Sequence, residues 1–173
     1  GAFDFAGTRQ WSRNLQKENG DFCFGLTFSS TPLLYEGKLY LQILQRDLAV
    51  DGRGKDGMPS YLLALDPASG KELWRAERPT KAKMESREAF TTPVPYENNG
   101  RKEILLAGGD LLSGHDPATG KELWRWGTWN VEHREPYWRL VPSPVAGGGV
   151  VLGCGPKREP VYAVKLGGNG DLS

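Results

Sequence analysis

The chain has 173 residues, with 22 Lys and Arg against 21 Asp and Glu, so its formal net charge is +1. That balance leaves no electrostatic footprint for nucleic acid or an anionic membrane surface, and no apolar stretch is long enough to span a bilayer. The 23 glycines and 12 prolines announce a chain rich in turns.

From the N-terminus, Ala2-Phe3-Asp4-Phe5-Ala6-Gly7-Thr8-Arg9-Gln10-Trp11 reads as a short hairpin around an Asp–Gly turn. A strand follows at Ser30-Thr31-Pro32-Leu33-Leu34-Tyr35, then the turn Glu36-Gly37-Lys38 and the apolar run Leu39 to Leu44. The insertion Asp47 to Gly57 holds three aspartates and three glycines, but the order Asp-x-Asp-x-Asp-Gly and the distal Glu of a calcium loop are absent. Arg53 and Lys55 also intrude, so a mobile, solvated loop is expected there. Tyr61 to Leu65 forms the next strand, Asp66 to Gly70 a turn, and Glu72 to Arg75 the returning strand. Pro67 presets φ, Asp66 can accept from turn amides, and Gly70 can take positive φ. Thr80 to Arg87 is polar and reads as a connection.

The same elements then recur. Thr91-Thr92-Pro93-Val94-Pro95-Tyr96 and the run from Ile104 to Ala107 precede Asp116-Pro117-Ala118-Thr119-Gly120-Lys121-Glu122-Leu123-Trp124-Arg125, a near-copy of Asp66 to Arg75 lying 50 residues downstream. A third round begins at Pro142-Ser143-Pro144-Val145-Ala146 and Val150-Val151-Leu152, and Ala163 to Leu172 repeats the turn region in degraded form. Four antiparallel strands in a period of roughly 40–50 residues are the signature of β-propeller blades. A helical solenoid is disfavoured, because no adequate stretch carries apolar residues at helical spacing. The blades are expected at 28–78, 90–128 and 140–173, the last incomplete, with 1–13 ending an earlier blade. An open arc of this size is expected to be a fragment of a propeller of roughly six to eight blades, the alternative being a complete protein that closes by oligomerising. Its uncovered ends are expected to make the isolated chain self-associate.

The motif Ala64-Leu65-Asp66-Pro67-Ala68-Ser69-Gly70-Lys71-Glu72-Leu73-Trp74-Arg75 resembles the repeat of the pyrroloquinoline-quinone-like (PQQ-like) β-propellers. That superfamily includes quinoprotein alcohol dehydrogenases, the propeller lipoprotein of the outer-membrane assembly machine, and many secreted propellers. The ending Val161 to Leu172 looks most like an uncharacterised bacterial branch of it. The resemblance implies that Trp11, Trp74 and Trp124 dock against neighbouring blades, supported by the turn residues Asp66, Gly70, Asp116 and Gly120. It implies an exported, periplasmic or extracellular protein. The quinoprotein dehydrogenases carry an adjacent Cys-Cys disulfide, a calcium ion and an aspartate base, whereas the two cysteines here, Cys23 and Cys154, are far apart in sequence.

No catalytic or metal-ligating set emerges from the residues. Cys23 and Cys154 are read as buried free thiols, and their spacing fits neither zinc nor a redox pair. His115 stands at a strand end and is read as structural or on the surface. His133 lies in a connector mixing aromatics and charges, Trp129 to Arg139, that is able to line a channel mouth. Arg87 and Glu88 lead into an innermost strand, so Arg87, Glu88 and His133 are the candidates for a polar pocket. Trp126, Trp129 and Trp138 fall outside the repeat and are candidates for special contacts. The expected function is a non-enzymatic scaffold or binding module that presents loops to a protein or carbohydrate partner. The alternatives are part of a dehydrogenase using PQQ and calcium, its catalytic blades lying elsewhere, and an accessory propeller of a multidomain signalling protein.

Overall fold

Both full copies of the repeated motif close the same turn. The Asp66 carboxylate accepts from the amides of Ala68 (2.9 Å) and Ser69 (2.7 Å), and Asp116 accepts from Ala118 (2.6 Å) and Thr119 (3.0 Å). Gly70 and Gly120 finish the turns at φ 71° and 76°, a left-handed conformation in which a Cβ would be strained. The degraded first copy keeps the device: Asp4 accepts from the amides of Ala6 and Thr8.

The computed structural model describes residues 1–173. In chain order its elements are β1 (Ala2–Phe3), β2 (Arg9–Trp11), α1 (Leu15–Asn19), β3 (Leu33–Tyr35), β4 (Lys38–Ile43), β5 (Tyr61–Leu65) and β6 (Glu72–Glu77). After a 3-10 turn at Met84–Arg87 come β7 (Val94–Asn98), β8 (Arg101–Gly108), β9 (Leu111–His115), β10 (Glu122–Trp126), β11 (Val145–Gly147), β12 (Val150–Cys154), β13 (Val161–Lys165) and β14 (Gly170–Asp171). The protein is therefore all-β, built from several open, mainly antiparallel sheets. The single short helix is set by Asn14, whose side chain accepts from the amides of Gln16 and Lys17, and it stops at Gly20.

Strands β3-β4-β5-β6 form a first sheet in sequence order, β7-β8-β9-β10 a second, and β11-β12-β13 a third; β1 and β2 pair as a hairpin. The sheets pack face to face. Tyr40, Leu62 and Ala64 of the first meet Ile104 and Leu106 of the second. Leu105, Ala107, Leu112 and Trp124 on the opposite face of the second sheet meet Val151 and Val164 of the third. The other face of the first sheet, with Ile43, Tyr61, Leu63 and Leu65, is covered by Trp11, Leu15, Phe22, Phe24 and Phe28. Period-two alternation thus gives β5 and β8 one apolar row for each neighbour, which is why both read as continuous apolar runs.

Polar contacts fix one sheet against the next. The Thr31 amide donates to Thr92 Oγ1 (3.2 Å), and the Thr92 amide donates to Ser143 Oγ (2.8 Å). These three residues precede Pro32, Pro93 and Pro144 at equivalent repeat positions. Buried Gln42 donates to Thr91, whose hydroxyl donates to Ala107 O (2.6 Å). Buried Arg78 reaches into the second sheet, donating to Ser113 Oγ (2.9 Å), Gly108 O (2.7 Å) and Leu111 O (3.1 Å). Burial lowers its pKa to about 10, so the guanidinium stays charged at neutral pH.

The structure departs from the sequence expectation in three places. Gly170 and Asp171 do not return along β13; they pair in parallel with Trp124 and Arg125, leaving the third repeat three-stranded and making β14 the outer edge of the second sheet. The Asp47 to Gly57 insertion is largely exposed, as a solvated loop should be, but it is anchored at Val50. Val50 and Met58 form a small core with Cys23, and Cys23 Sγ donates to Lys55 O. Cys154 is only partly buried, because the face it occupies has no covering sheet, while Cys23 is fully buried; both thiols are free.

The three repeat tryptophans occupy three environments. Trp11 packs where a Cβ on Gly70 would stand and donates to Pro67 O (2.8 Å). Trp74 lies over Gly120 in the same way, but the equivalent acceptor, Pro117 O, is taken by the Tyr40 hydroxyl (2.9 Å), and the Trp74 N–H is left without a partner. Trp124 is fully buried and donates to the buried carboxylate of Glu103 (2.6 Å), which also pairs with Arg101 at 2.7 Å. Deleting a donor to a buried charged group costs about 1–3 kcal/mol. Trp124→Phe should therefore destabilise by roughly 2–3 kcal/mol and Trp74→Phe by less than about 1 kcal/mol in urea unfolding. Equal losses would show that the Trp124–Glu103 bond contributes nothing net.

Candidate functional site

The connector between β10 and β11 is held at two points. At the first, the β8–β9 turn places Asp110 at φ 62° with its carboxylate buried. Asn130 Nδ2 donates to both Asp110 oxygens (3.0 and 2.9 Å), and Arg134 pairs with Oδ2 at 3.3 Å. The Asn130 side chain also accepts from the Glu135 amide and donates to Glu135 O (3.1 Å). Burial raises the Asp110 pKa above the ordinary carboxylate value, and the bonds from Asn130 and Arg134 oppose the rise. At the second point, the buried Ser86 hydroxyl donates to Glu135 O and accepts from the Trp138 amide (2.7 Å), while the Ser86 amide donates to Pro136 O (3.0 Å). Asn130 and Arg134 sit at φ 56° and 51°, in the left-handed region, where these bonds hold them.

This loop and Glu159 enclose a cavity of about 340 Å³, walled by Trp129, Trp138, Asn130, Glu132, His133 and Glu135. Trp129 is buried and stacks on Tyr162 with centroids 5.9 Å apart, and Trp126 closes the cluster at 5.5 Å from Trp129 and 4.9 Å from Tyr162. The Tyr162 hydroxyl donates to Glu159, which together with burial pushes the phenol up to about 12. His133 is exposed and lies 3.8 Å from Glu132. Arg134, the one arginine within the segment lining the cavity, is drawn to Asp110. The cavity therefore presents the partly exposed Trp138 indole, the His133 imidazole and the carboxylates of Glu132, Glu135 and Glu159.

Of the sequence candidates, Arg87 and Glu88 do not share this cavity with His133. Glu88 is buried among cations: it pairs with Arg46 Nε and Arg139 Nη2 (2.6 Å) and accepts from the Gly25 amide (2.9 Å). Glu88 and Arg139 stand at equivalent positions ahead of Pro93 and Pro144, beside a parallel bridge between Ala89 and Leu140. The triad ties three repeats together and offers no free face to a ligand. Arg87 turns the other way, pairing with Asp47 at 3.3 Å, and lines a separate cavity of about 310 Å³ with Ser60, Glu77 and Arg78. Trp126 and Trp129 share one aromatic cluster, and Trp129 and Trp138 share the loop cavity.

A larger groove of about 980 Å³ runs past Trp126, Leu172 and the residues Ala163 to Lys165 of β13. It borders the side of β13 that no strand pairs. No three His, Cys, Asp or Glu side chains converge closely enough to hold a metal ion. No helix is long and apolar enough to cross a membrane. The chain matches no family model, and no curated protein matches it.

Sequence reasoning passed over Asp110, Asn130 and Ser86, the residues that hold the loop. Gly108-Gly109-Asp110 between two apolar strands is a tight-turn signal that could have flagged Asp110; nothing local marks Asn130 or Ser86 as its complement.

His115 is fully buried, with Nδ1 at 3.1 Å from Gly120 O and Nε2 at 3.0 Å from Ser113 Oγ. Burial, reinforced by the nearby Arg78 charge, lowers its pKa to about 4. A histidine that titrates near 6.5 in the unfolded chain and near 4 in the fold binds its proton preferentially when unfolded. Its penalty is absent above pH 6.5 and grows as pH falls toward 4. Between pH 7 and pH 5 the wild type should lose roughly 2 kcal/mol more stability than His115→Gln, measured by urea unfolding. Parallel losses in the two proteins would show that His115 is not held neutral.

Proposed function

We propose that the chain consists of consecutive blades of a PQQ-like β-propeller and serves as a non-enzymatic binding module, exported to the periplasm or cell exterior. Two sets of four sequential antiparallel strands, a third of three, and face-to-face packing between them support the propeller reading. So does the recurring placement of a fourth-strand tryptophan over the turn glycine of the next repeat.

The observation that carries the binding role is the doubly pinned loop between β10 and β11. The buried Asp–Asn–Arg clamp and the serine anchor fix this loop in one conformation. Pre-organising Trp129, Trp138 and the surrounding carboxylates removes the ordering cost that a free loop would pay on binding. The partly exposed Trp138 indole beside carboxylates suits a cationic side chain, by cation–π attraction and charge-assisted hydrogen bonding. The partner is accordingly a protein that offers a lysine or arginine.

Titration of the protein with arginine-containing and lysine-containing peptides, followed by tryptophan fluorescence, tests the reading. Saturable quenching that weakens with salt and is lost in Trp138→Ala is expected, with Asn130→Ala reducing affinity by loosening the loop. Neutral oligosaccharides acting in place of the peptides would move the proposal to a carbohydrate partner. No response to either class would overturn the binding role. A response to pyrroloquinoline quinone with calcium would favour the dehydrogenase reading instead.

A further inference from the structure

The sequence marks Arg87 as a pocket residue, and the loop cavity beside Trp138 does not contain it. Arg87 stands instead at the end of the 3-10 turn Met84–Arg87 and lines the separate cavity of about 310 Å³. The other walls are Asp47, the run from Gly57 to Ser60 and the run from Glu77 to Thr80. All of them belong to the first repeat or to the connector from it into the second, so the cavity lies between two repeats whose four strands are all present.

The two arginines of this lining are held very differently. Arg78 is 1% exposed and makes three bonds of 2.9, 2.7 and 3.1 Å. Its partners are a hydroxyl and two carbonyls, so none of them neutralises its charge. A buried cation without a counter-charge leaves a positive field around it. That field adds to burial in keeping His115 neutral.

Arg87, by contrast, is loosely bonded. Its Nε reaches Gln45 O at 3.4 Å, and its Nη1 reaches Thr80 O at 3.5 Å and Ala82 O at 3.4 Å. All three lie beyond the ordinary range of about 2.7–3.2 Å. Its Nη2 has no protein partner. The one carboxylate paired with it is that of Asp47, 3.3 Å from Nη1, on a side chain that is 45% exposed. Asp47 is the first residue of the largely exposed insertion. A guanidinium fork takes a well-placed carboxylate through two parallel bonds of about 2.7–2.9 Å; Asp47 supplies a single long one. Glu77 also lines the cavity, but it is exposed and its charge is screened by solvent.

We propose that this cavity binds a small organic acid, whose carboxylate takes the fork of Arg87 and displaces Asp47. Asp47 is then a tethered stand-in for the ligand. The arginine exchanges one carboxylate for another and is never left unpaired. A volume of about 310 Å³ corresponds to about ten water molecules at ~30 Å³ each, which admits an acid of a few carbons. The site shares no residue with the loop cavity and is independent of the cationic partner proposed for it.

Titration of the whole chain at neutral pH and low salt with acetate and with succinate tests the proposal. Chloride at matched ionic strength is the control, and binding is read from the Arg87 Nε–Hε resonance. Both acids should shift that resonance saturably, and chloride should not. Asp47→Asn removes the tethered competitor and should tighten binding about two- to fivefold, the worth of a partly exposed ion pair. A purely structural Asp47 would give no such gain. Arg87→Lys keeps the charge but loses the fork, and should weaken binding severalfold. Circular dichroism verifies that both variants fold; if Arg87→Lys does not, the direction of the Asp47→Asn change still decides. No saturable response in wild type or in Asp47→Asn would overturn the proposal. So would an Asp47→Asn variant that binds no tighter, or saturation that leaves the Arg87 resonance unmoved. Binding of inorganic phosphate with both acids silent would overturn the carboxylate as the ligand class.

Discussion

The contact between one sheet's front row and the next sheet's rear row is what the rest of this protein depends on. A single antiparallel sheet of four short strands cannot bury both of its faces, and each repeat here is apolar on both. Stacking resolves this in one direction at a time. Leu62 and Ala64 find Ile104 and Leu106, and Leu105 and Leu112 find Val151 and Val164. The turn glycines belong to the same contact, because Trp11 and Trp74 occupy the space that a side chain at Gly70 or Gly120 would fill. The near-identity of the two decapeptides therefore follows from two requirements meeting in one segment: a left-handed turn residue and a flat landing site for the preceding repeat's indole.

Apolar packing alone would let such sheets slide, and the polar contacts between repeats prevent it. Thr31, Thr92 and Ser143 link equivalent positions one after another. Gln42 and Arg78 cross from the first sheet to the second, and Glu88 gathers Arg46 and Arg139 from the repeats on either side. Each is a buried polar group whose partners lie in another repeat, so a displaced register would strand it at a cost of a few kcal/mol. Arg87 and Glu88 illustrate how closely such roles sit together: adjacent in sequence, they project in different directions, one pairing with Asp47 at the start of the insertion and the other joining the centre of the stack.

What was legible in the sequence is what is local or periodic. The Asp66 and Asp116 turns, the strands flanking them and the all-β class follow from turn chemistry and alternation within a few residues. The folding of the insertion onto Cys23 was not legible, since Val50 and Met58 look unremarkable beside so many aspartates and glycines. Nor was the fate of Gly170 and Asp171, because a strand's partner is chosen by whichever edge is free, and β10 offered one. The loop cavity was half legible. Aromatics and charges outside the repeat marked Trp129, His133 and Trp138, whereas the clamp that shapes them pairs Asp110 and Asn130 across 20 residues.

Trp124 shows how a repeat is released from its common role. It stands where Trp74 stands, yet its indole lies over Gly114 of its own sheet rather than over a turn glycine of the next repeat, and its N–H goes to Glu103. The third repeat brings no Asp–Pro turn to receive it; β14 lies alongside instead, with Gly170 opposite Trp124. Freed from landing on a turn glycine, this end of the second sheet continues into Trp126 and Trp129, which build an aromatic cluster with Tyr162 of the third. The irregularity in the repeat and the one pre-formed, aromatic-walled loop cavity are thus the same event in the chain. A regular stack supplies stability from identical contacts, and the cavity opens where one of those contacts is replaced.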